Sequence, residues 1–295
     1  MSVCFPRRLF SSAAKAVPVV DASSAADMRA LARSIRESAA AAAAAGSDAS
    51  VSPGPVLIRP STSKKTPDDA LALSLFESAH SAAGWETLLS ALEKVPGPGE
   101  TIVPLEMGGN YLEAGERVEV PLAHFVAYLR EFERMKSSRD EIPLIYLAQH
   151  QLFEQLTGPE FAIRTPELLD ALQAEQAGDV DVYSVVAWLG PSGTFSPLHT
   201  DPHDNCFTQL RGTKRFRIVD PETGDKGIPR EVDALQQNTI QGGAAVDTLG
   251  VEFFEVHLSP GDSLYLPQRW WHEVEAESAP SGSTSASVTH WWRLR

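Results

Sequence analysis

Apolar positions recur along this chain at two periods. Before about residue 180 they fall mostly at helical spacing, and after it they come in short runs broken by turn residues. Asp21 to Ala45 predicts an alanine-rich helix with Met28, Leu31, Ile35 and Ala39 on one face. Gly46 would end it, and Ser47 to Pro55 reads as a linker. Val56 to Ile58 predicts a short strand, Asp68 to His80 and Trp85 to Val95 predict helices, and Thr101 to Met107 predicts another strand. Pro121 to Met135 is the clearest amphipathic helix: proline suits a first turn, and Leu122, Phe125, Val126, Leu129 and Phe132 form one stripe. Tyr146 to Leu156 mixes apolar and amide residues, and Thr165-Pro166-Glu167 reads as a capped helix start.

The second half predicts strands at Val182–Leu189, Asn205–Leu210, Lys214–Val219, Val251–Leu258, Ser263–Leu266, His272–Glu277 and Ser285–Leu294. Many short strands at this spacing indicate a sandwich or barrel. Arg211-Gly212-Thr213 reads as a hairpin turn. Pro221 to Gly250 is long and rich in Gly, Asp and Gln, an insertion of the kind that contacts substrate. The chain thus divides into an N-terminal helical or disordered segment (1–52), a helical and strand support region (53–180) and a strand-rich core (181–295).

The 295 residues suffice for one large domain with a sizeable core, and an apolar share of 43% is ordinary for a globular protein. No apolar run reaches the roughly eighteen residues of a membrane span. A net charge of −14 disfavours bulk nucleic-acid binding and suits a basic peptide partner, although it also serves solubility. Cys4 and Cys206 form no C-x-x-C, and Cys206 reads as a buried small hydrophobe. The first twenty residues carry Arg7, Arg8 and Lys15 and no acid, which matches either a mitochondrial presequence or a basic disordered start. The expected compartment is intracellular: nucleus or cytoplasm, or the mitochondrion if that segment is a presequence.

Candidate chemistry centres on Ser196-Pro-Leu-His199-Thr-Asp201. Residues i and i+2 of an extended chain share a face, so His199 and Asp201 can offer a nitrogen and an oxygen to one metal. His272 opens a later strand after Trp270-Trp271, which could serve the core, the pocket or a dimer contact. Two His and one carboxylate make the facial set that leaves positions open on non-haem iron, and the sequence offers no good fourth ligand for a closed zinc site. Lys214 follows the Gly212 turn, and a lysine facing a barrel interior needs an anion. His80, His124 and His150 fall on helical patterns and read as ordinary surface or packing residues. His203 loses its phase with Asp201 at Pro202, and His257 is a weaker rival for the third ligand.

Together, Trp188 to Asn205, Gly212-Thr-Lys214, Pro267 to His272, Tyr146 to Phe153 and Ser285 to Trp292 resemble the JmjC oxygenases over roughly residues 100–295. The closest likeness is to the branch of jumonji domain-containing protein five, described both as a protein arginyl hydroxylase and as a lysine demethylase. The resemblance implies an α+β fold with a mainly β core, a cupin-like double-stranded β-helix flanked by N-terminal helices. It implies Fe(II) held by His199, Asp201 and His272, with 2-oxoglutarate as co-substrate and O2 as oxidant. Lys214, Asn205, Ser196 and Tyr146 would bind 2-oxoglutarate, with Lys214 on its distal carboxylate. Trp188 and Trp291 would wall the pocket, and Gln149 would touch substrate. The implied reaction hydroxylates a C–H bond and releases succinate and CO2. On an arginine side chain it gives a hydroxylase. On an N-methyl carbon it gives a demethylase, because the hemiaminal loses formaldehyde. A metal-free binding protein of the same fold and an RNA-modifying oxygenase are the other classes. His290 stands where that branch tends to have an aromatic, a departure that bears on the pocket.

Overall fold

Strand pairing, read residue by residue, gathers the second half of the chain into two sheets. The computed structural model describes residues 14–45, 53–59, 75–95, 101–108, 116–135, 143–156, 158–176, 179–228, 230–232, 238–240, 246, 249–277 and 284–295. Numbered in chain order, the larger sheet runs β2 (Val19–Asp21), β3 (Val56–Arg59), β14 (Ser263–Leu266), β9 (Asp204–Arg211), β16 (Thr284–Leu294), β7 (Val180–Pro191), β6 (Ile145–His150), β4 (Ile102–Met107) and β5 (Glu116–Pro121). The smaller runs β1 (Lys15–Ala16), β13 (Phe254–Leu258), β10 (Thr213–Val219), β15 (Trp271–Glu277), β8 (Phe195–Thr200), β12 (Asn238–Ile240) and β11 (Arg230–Val232). From β7 to β10 and from β13 to β16 the chain crosses from one sheet to the other at each step. That winding is the expected double-stranded β-helix.

The crossing corrects the hairpin expected at Arg211-Gly212-Thr213. β9 pairs with β14 and β16, whereas β10 pairs with β13 and β15, so this turn is a corner between sheets. Only glycine fits there. Its φ is +69°, and a Cβ would lie 2.8 Å from the Thr284 carbonyl oxygen.

Between the sheets, Leu57, Phe207, Phe216, Ile218, Val256, Leu258, Leu264, Leu266 and Trp270 pack together. The outer face of the larger sheet is covered by helices. On one part, α1 (Ala25–Ala45) and α6 (Glu167–Glu175) set Met28, Leu31, Ile35, Leu168 and Leu172 against Val56, Ile58, Tyr265 and Trp292. On the other, α2 (Leu75–Ser78), α3 (Ala82–Leu92) and α4 (Leu122–Arg134) bury Phe76, Trp85, Leu88, Phe125 and Leu129 against Leu189, Ala286 and Val288. The stripe on α4 is buried as its spacing predicts, each large side chain worth roughly 1.5–3 kcal/mol.

Several local expectations shift. The first helix begins at Ala25, where the Ser24 hydroxyl accepts the Asp27 N–H at 3.2 Å, and Ala32 joins its buried face while Ala39 is exposed. Of the helix expected at 68–80, Leu75–Ser78 is helical and 68–74 lie outside the described residues. Pro166, not Thr165, occupies the cap of α6, with no side-chain hydrogen bond. Residues 15–16 and 19–20, read as part of a leader or a disordered start, and Asp21, read as helix, pair in parallel with Phe254–Glu255 and Leu57–Arg59. Residues 1–13, Cys4 among them, lie outside the described residues. The insertion forms α7 (Pro221–Gly227) and the β11–β12 pair, and β12 lies in register on β8, with Thr239 opposite His199. Of the two adjacent tryptophans, Trp270 packs between the sheets and Trp271 under the insertion, so both are core. No helix of the described residues is long and apolar enough to cross a membrane.

Candidate metal and co-substrate site

His199 near the end of β8, Asp201 just beyond it and His272 at the start of β15 converge inside the barrel. Their ligand atoms all lie within 4.8 Å of one another. Among the described residues no other group of three His, Cys, Asp or Glu side chains approaches this arrangement. The two histidines are cross-strand partners, and their ring centroids are 4.2 Å apart.

The local backbone selects the tautomer of each ring. His199 Nδ1 lies 2.6 Å from the Pro197 carbonyl and His272 Nδ1 lies 3.0 Å from the Trp270 carbonyl, the same two-residue reach backwards. A carbonyl only accepts, so each Nδ1 carries the proton and each Nε2 presents a lone pair to the cavity. Burial, and then the neighbouring His199, pull His272 down to about 4, which keeps it neutral. Asp201 Oδ2 accepts from the Asn205 amide at 3.1 Å and stands 3.8 Å from His272 Nε2. Two imidazoles held through Nδ1 and an oriented carboxylate fit a divalent first-row metal with open positions.

Lys214, 3% exposed, points into the same cavity from β10. Its ammonium donates to the Tyr146 hydroxyl at 3.1 Å and lies 5.0–5.6 Å from the rings of Phe207, Tyr146 and Trp188. Among the described residues no carboxylate lies in ion-pair range of it. Burial alone pulls Lys214 down to about 7.

The sequence-predicted site residues other than Tyr146 come together on one wall. Gln149, Trp188, Ser196, His199, Asp201, Asn205, Lys214, His272 and Trp291 line one cavity of about 570 Å³, its open mouth included. Tyr146 reaches it through Lys214. Ser196 and His199 are three residues apart, so simple alternation would put them on opposite faces. A β-bulge resolves this: His199 pairs with His272, while Ser196 pairs with Val274. Gln149 adopts φ +49°, unusual for a non-glycine residue and here located at the cavity wall.

Sequence reasoning missed Thr289, Phe207, Phe216, Leu266 and Val274, which complete the wall. Stepping by two from Asn205, Lys214, His272 and Trp291 would have found Phe207, Phe216, Val274 and Thr289. Thr289 accepts the Trp188 indole N–H at 2.8 Å. His290 lies between the wall residues Thr289 and Trp291 and so faces the opposite side of the sheet. Its departure from an aromatic therefore leaves the cavity wall unchanged. It is buried there, and burial pulls it down to about 4. His257 is half-exposed between Glu255 and Glu277, outside the cavity. His150 ends a strand rather than sitting on a helix and meets the Gln155 amide. His203 packs edge-on against Tyr183 at 4.5 Å, and Tyr183 stacks on Trp291 at 6.4 Å. Cys206 is buried in β9, and burial pushes its thiol up to about 12.

Comparison with known proteins gives the family. The cupin-like domain model matches residues 11–295. Jumonji C domain-containing protein 5 of Drosophila melanogaster is 33% identical over 245 residues, 76% of this chain and 58% of that protein. Lysine-specific demethylase JMJ30 of Arabidopsis thaliana is 31% identical over 201 residues, 66% of this chain and 43% of that protein. Lysine-specific demethylase 8 of Danio rerio is 32% identical over 197 residues, 64% of this chain and 45% of that protein. The chain thus spans about half the length of these relatives.

Proposed function

This chain belongs to the cupin-like domain family, on its JmjC side, and from that premise we propose that it is an Fe(II)- and 2-oxoglutarate-dependent oxygenase hydroxylating a side chain of a protein substrate, arginine or similar. The carrying observation is the buried Lys214 ammonium sharing one cavity with the His199–Asp201–His272 triad. An uncompensated buried cation is costly unless an anion completes it. A dicarboxylate with one end at Lys214 and the other at the triad supplies that anion.

Bound Fe(II), with 2-oxoglutarate and O2, would supply the oxidation of a C–H bond. The protein's own residues do the rest. His199 and His272 offer Nε2 because the Pro197 and Trp270 carbonyls hold their Nδ1 protons. Asn205 orients the Asp201 carboxylate. Lys214, with the Tyr146 hydroxyl, positions the distal carboxylate, and Ser196 offers a hydroxyl on the same wall. Phe207, Phe216, Leu266 and Val274 exclude water from it.

The second reading, lysine demethylation, uses the same oxidation on an N-methyl carbon. Two of the relatives above are named lysine-specific demethylases, which favours it. A basic peptide suits the −14 net charge in either case.

The test needs no substrate. Anaerobic addition of Fe(II) and 2-oxoglutarate should give the weak visible charge-transfer band of the chelate. The band should vanish with His199→Ala and weaken with Lys214→Ala. Absence of the band, with no iron retained, would sink the oxygenase reading. Formaldehyde release from a methyl-lysine peptide, without a hydroxylated product, would select the second.

A further inference from the structure

The triad is carried by two separate segments, and one acidic side chain outside it fastens them together. β14 ladders onto β9 as far as the Leu266–Asn205 pair. The next residue, Pro267, has no N–H, so the ladder stops. Asp204 stands at that point. Its Oδ1 accepts the Gln268 backbone N–H at 3.2 Å and the Tyr265 hydroxyl at 3.0 Å. The carboxylate thus accepts the first backbone N–H beyond the end of the ladder and ties it to Tyr265 on β14.

The turn so tied carries two restraints on the triad. Arg269 donates its backbone N–H to the Asp201 carbonyl at 2.8 Å. It does so at φ +66°, a conformation that a residue with a Cβ holds only when its surroundings impose it. Trp270, the next residue, supplies the carbonyl that holds His272 Nδ1. The same four-residue turn therefore sets the backbone of one ligand and the tautomer of another.

From this arrangement we infer that Asp204 is a positioning residue for the metal triad, acting through the 267–270 turn. The inference rests on the metal-site reading above.

The test measures Co(II) affinity and the Co(II) d–d spectrum of the whole chain, without turnover. Wild type should bind one Co(II), and His199→Ala should not. If wild type binds none, the metal-site reading itself fails, and this inference with it. Given wild-type binding, Asp204→Ala should weaken affinity by about 10- to 100-fold and shift the d–d band. Asp204→Asn, which keeps an oxygen acceptor, should recover most of both. A folded Asp204→Ala with wild-type affinity and band would overturn the assignment. Should that variant not fold, Tyr265→Phe, which releases one of the two bonds, should weaken Co(II) binding several-fold. Wild-type binding by Tyr265→Phe would then leave Asp204 a purely structural residue and overturn the assignment.

Discussion

Lys214 Nζ donates to the hydroxyl of Tyr146 at 3.1 Å, and among the described residues that neutral oxygen is the hydrogen-bond partner of the side chain. Burial holds the amine near 7, so at pH 8 most of it is neutral before ligand arrives. An incoming carboxylate favours the charged form. Binding of 2-oxoglutarate at pH 8 should therefore take up close to one proton. Calorimetry in two buffers of different ionisation enthalpy reads this directly. Lys214→Met should abolish the buffer dependence and weaken binding by about 2–5 kcal/mol. Equal heats in the two buffers with wild type would show that Lys214 is already charged in the free protein.

The same burial gives a stability signature in the protein without ligand. Lys214 has a lower pKa folded, about 7, than its ordinary value of 10.5. Between those values the unfolded chain holds the extra proton, so this group makes folding more favourable as pH rises through that window. Below pH 7 both states are charged, and the folded state bears the full burial penalty. Urea unfolding of wild type and Lys214→Met from pH 6 to 10 should show the wild-type deficit shrinking as pH rises. A deficit that grows with pH would contradict a depressed lysine.

Gly212→Ala tests the corner between the sheets. A Cβ there meets the Thr284 carbonyl oxygen at 2.8 Å and must also adopt φ +69°. The left-handed conformation alone costs about 1–2 kcal/mol. The backbone of β10 would have to shift, and Lys214 lies two residues on. We expect a loss of at least about 2 kcal/mol by urea unfolding, together with weaker 2-oxoglutarate binding. Unchanged stability would mean that the corner is free to relax.

What was legible in the sequence follows from which signals are local. The α4 stripe was legible because its period is set within one element, and the core strands because alternation is local too. The triad was legible because His199 and Asp201 are two residues apart and His272 follows a recognisable turn. Register is not local. The bulge that brings Ser196 and His199 to one wall depends on β15, more than seventy residues away. The Gly212 corner looks like a hairpin because a turn residue does not state which sheet receives the next strand. The short strands at Lys15–Ala16 and Val19–Asp21 were not legible because their partners, Phe254–Glu255 and Leu57–Arg59, are remote in sequence.

Tyr183 is a second product of a bulge and the best place to test substrate recognition. Trp291 pairs with Ser184 and Trp292 with Val182, which leaves Tyr183 as the extra residue of β7. The bulge turns its ring parallel to Trp291, within 8°, and against His203, yet leaves it 40% exposed. Trp291 lines the cavity, and Tyr183, stacked on it, stays partly exposed beside it. Nearby Arg293 is held by Asp181 at 3.0 Å, which offsets its charge. An aromatic face of this kind attracts a cationic side chain by roughly 0.5–2 kcal/mol. Tyr183→Ala should therefore raise the KM for an arginine or methyl-lysine peptide by about 2- to 30-fold, with a much smaller change in kcat. Tyr183→Phe keeps the ring and should stay close to wild type. Steady-state kinetics on the three proteins decides it. A fall in kcat at unchanged KM would instead assign Tyr183 to supporting Trp291 beside the triad, with the substrate entering elsewhere.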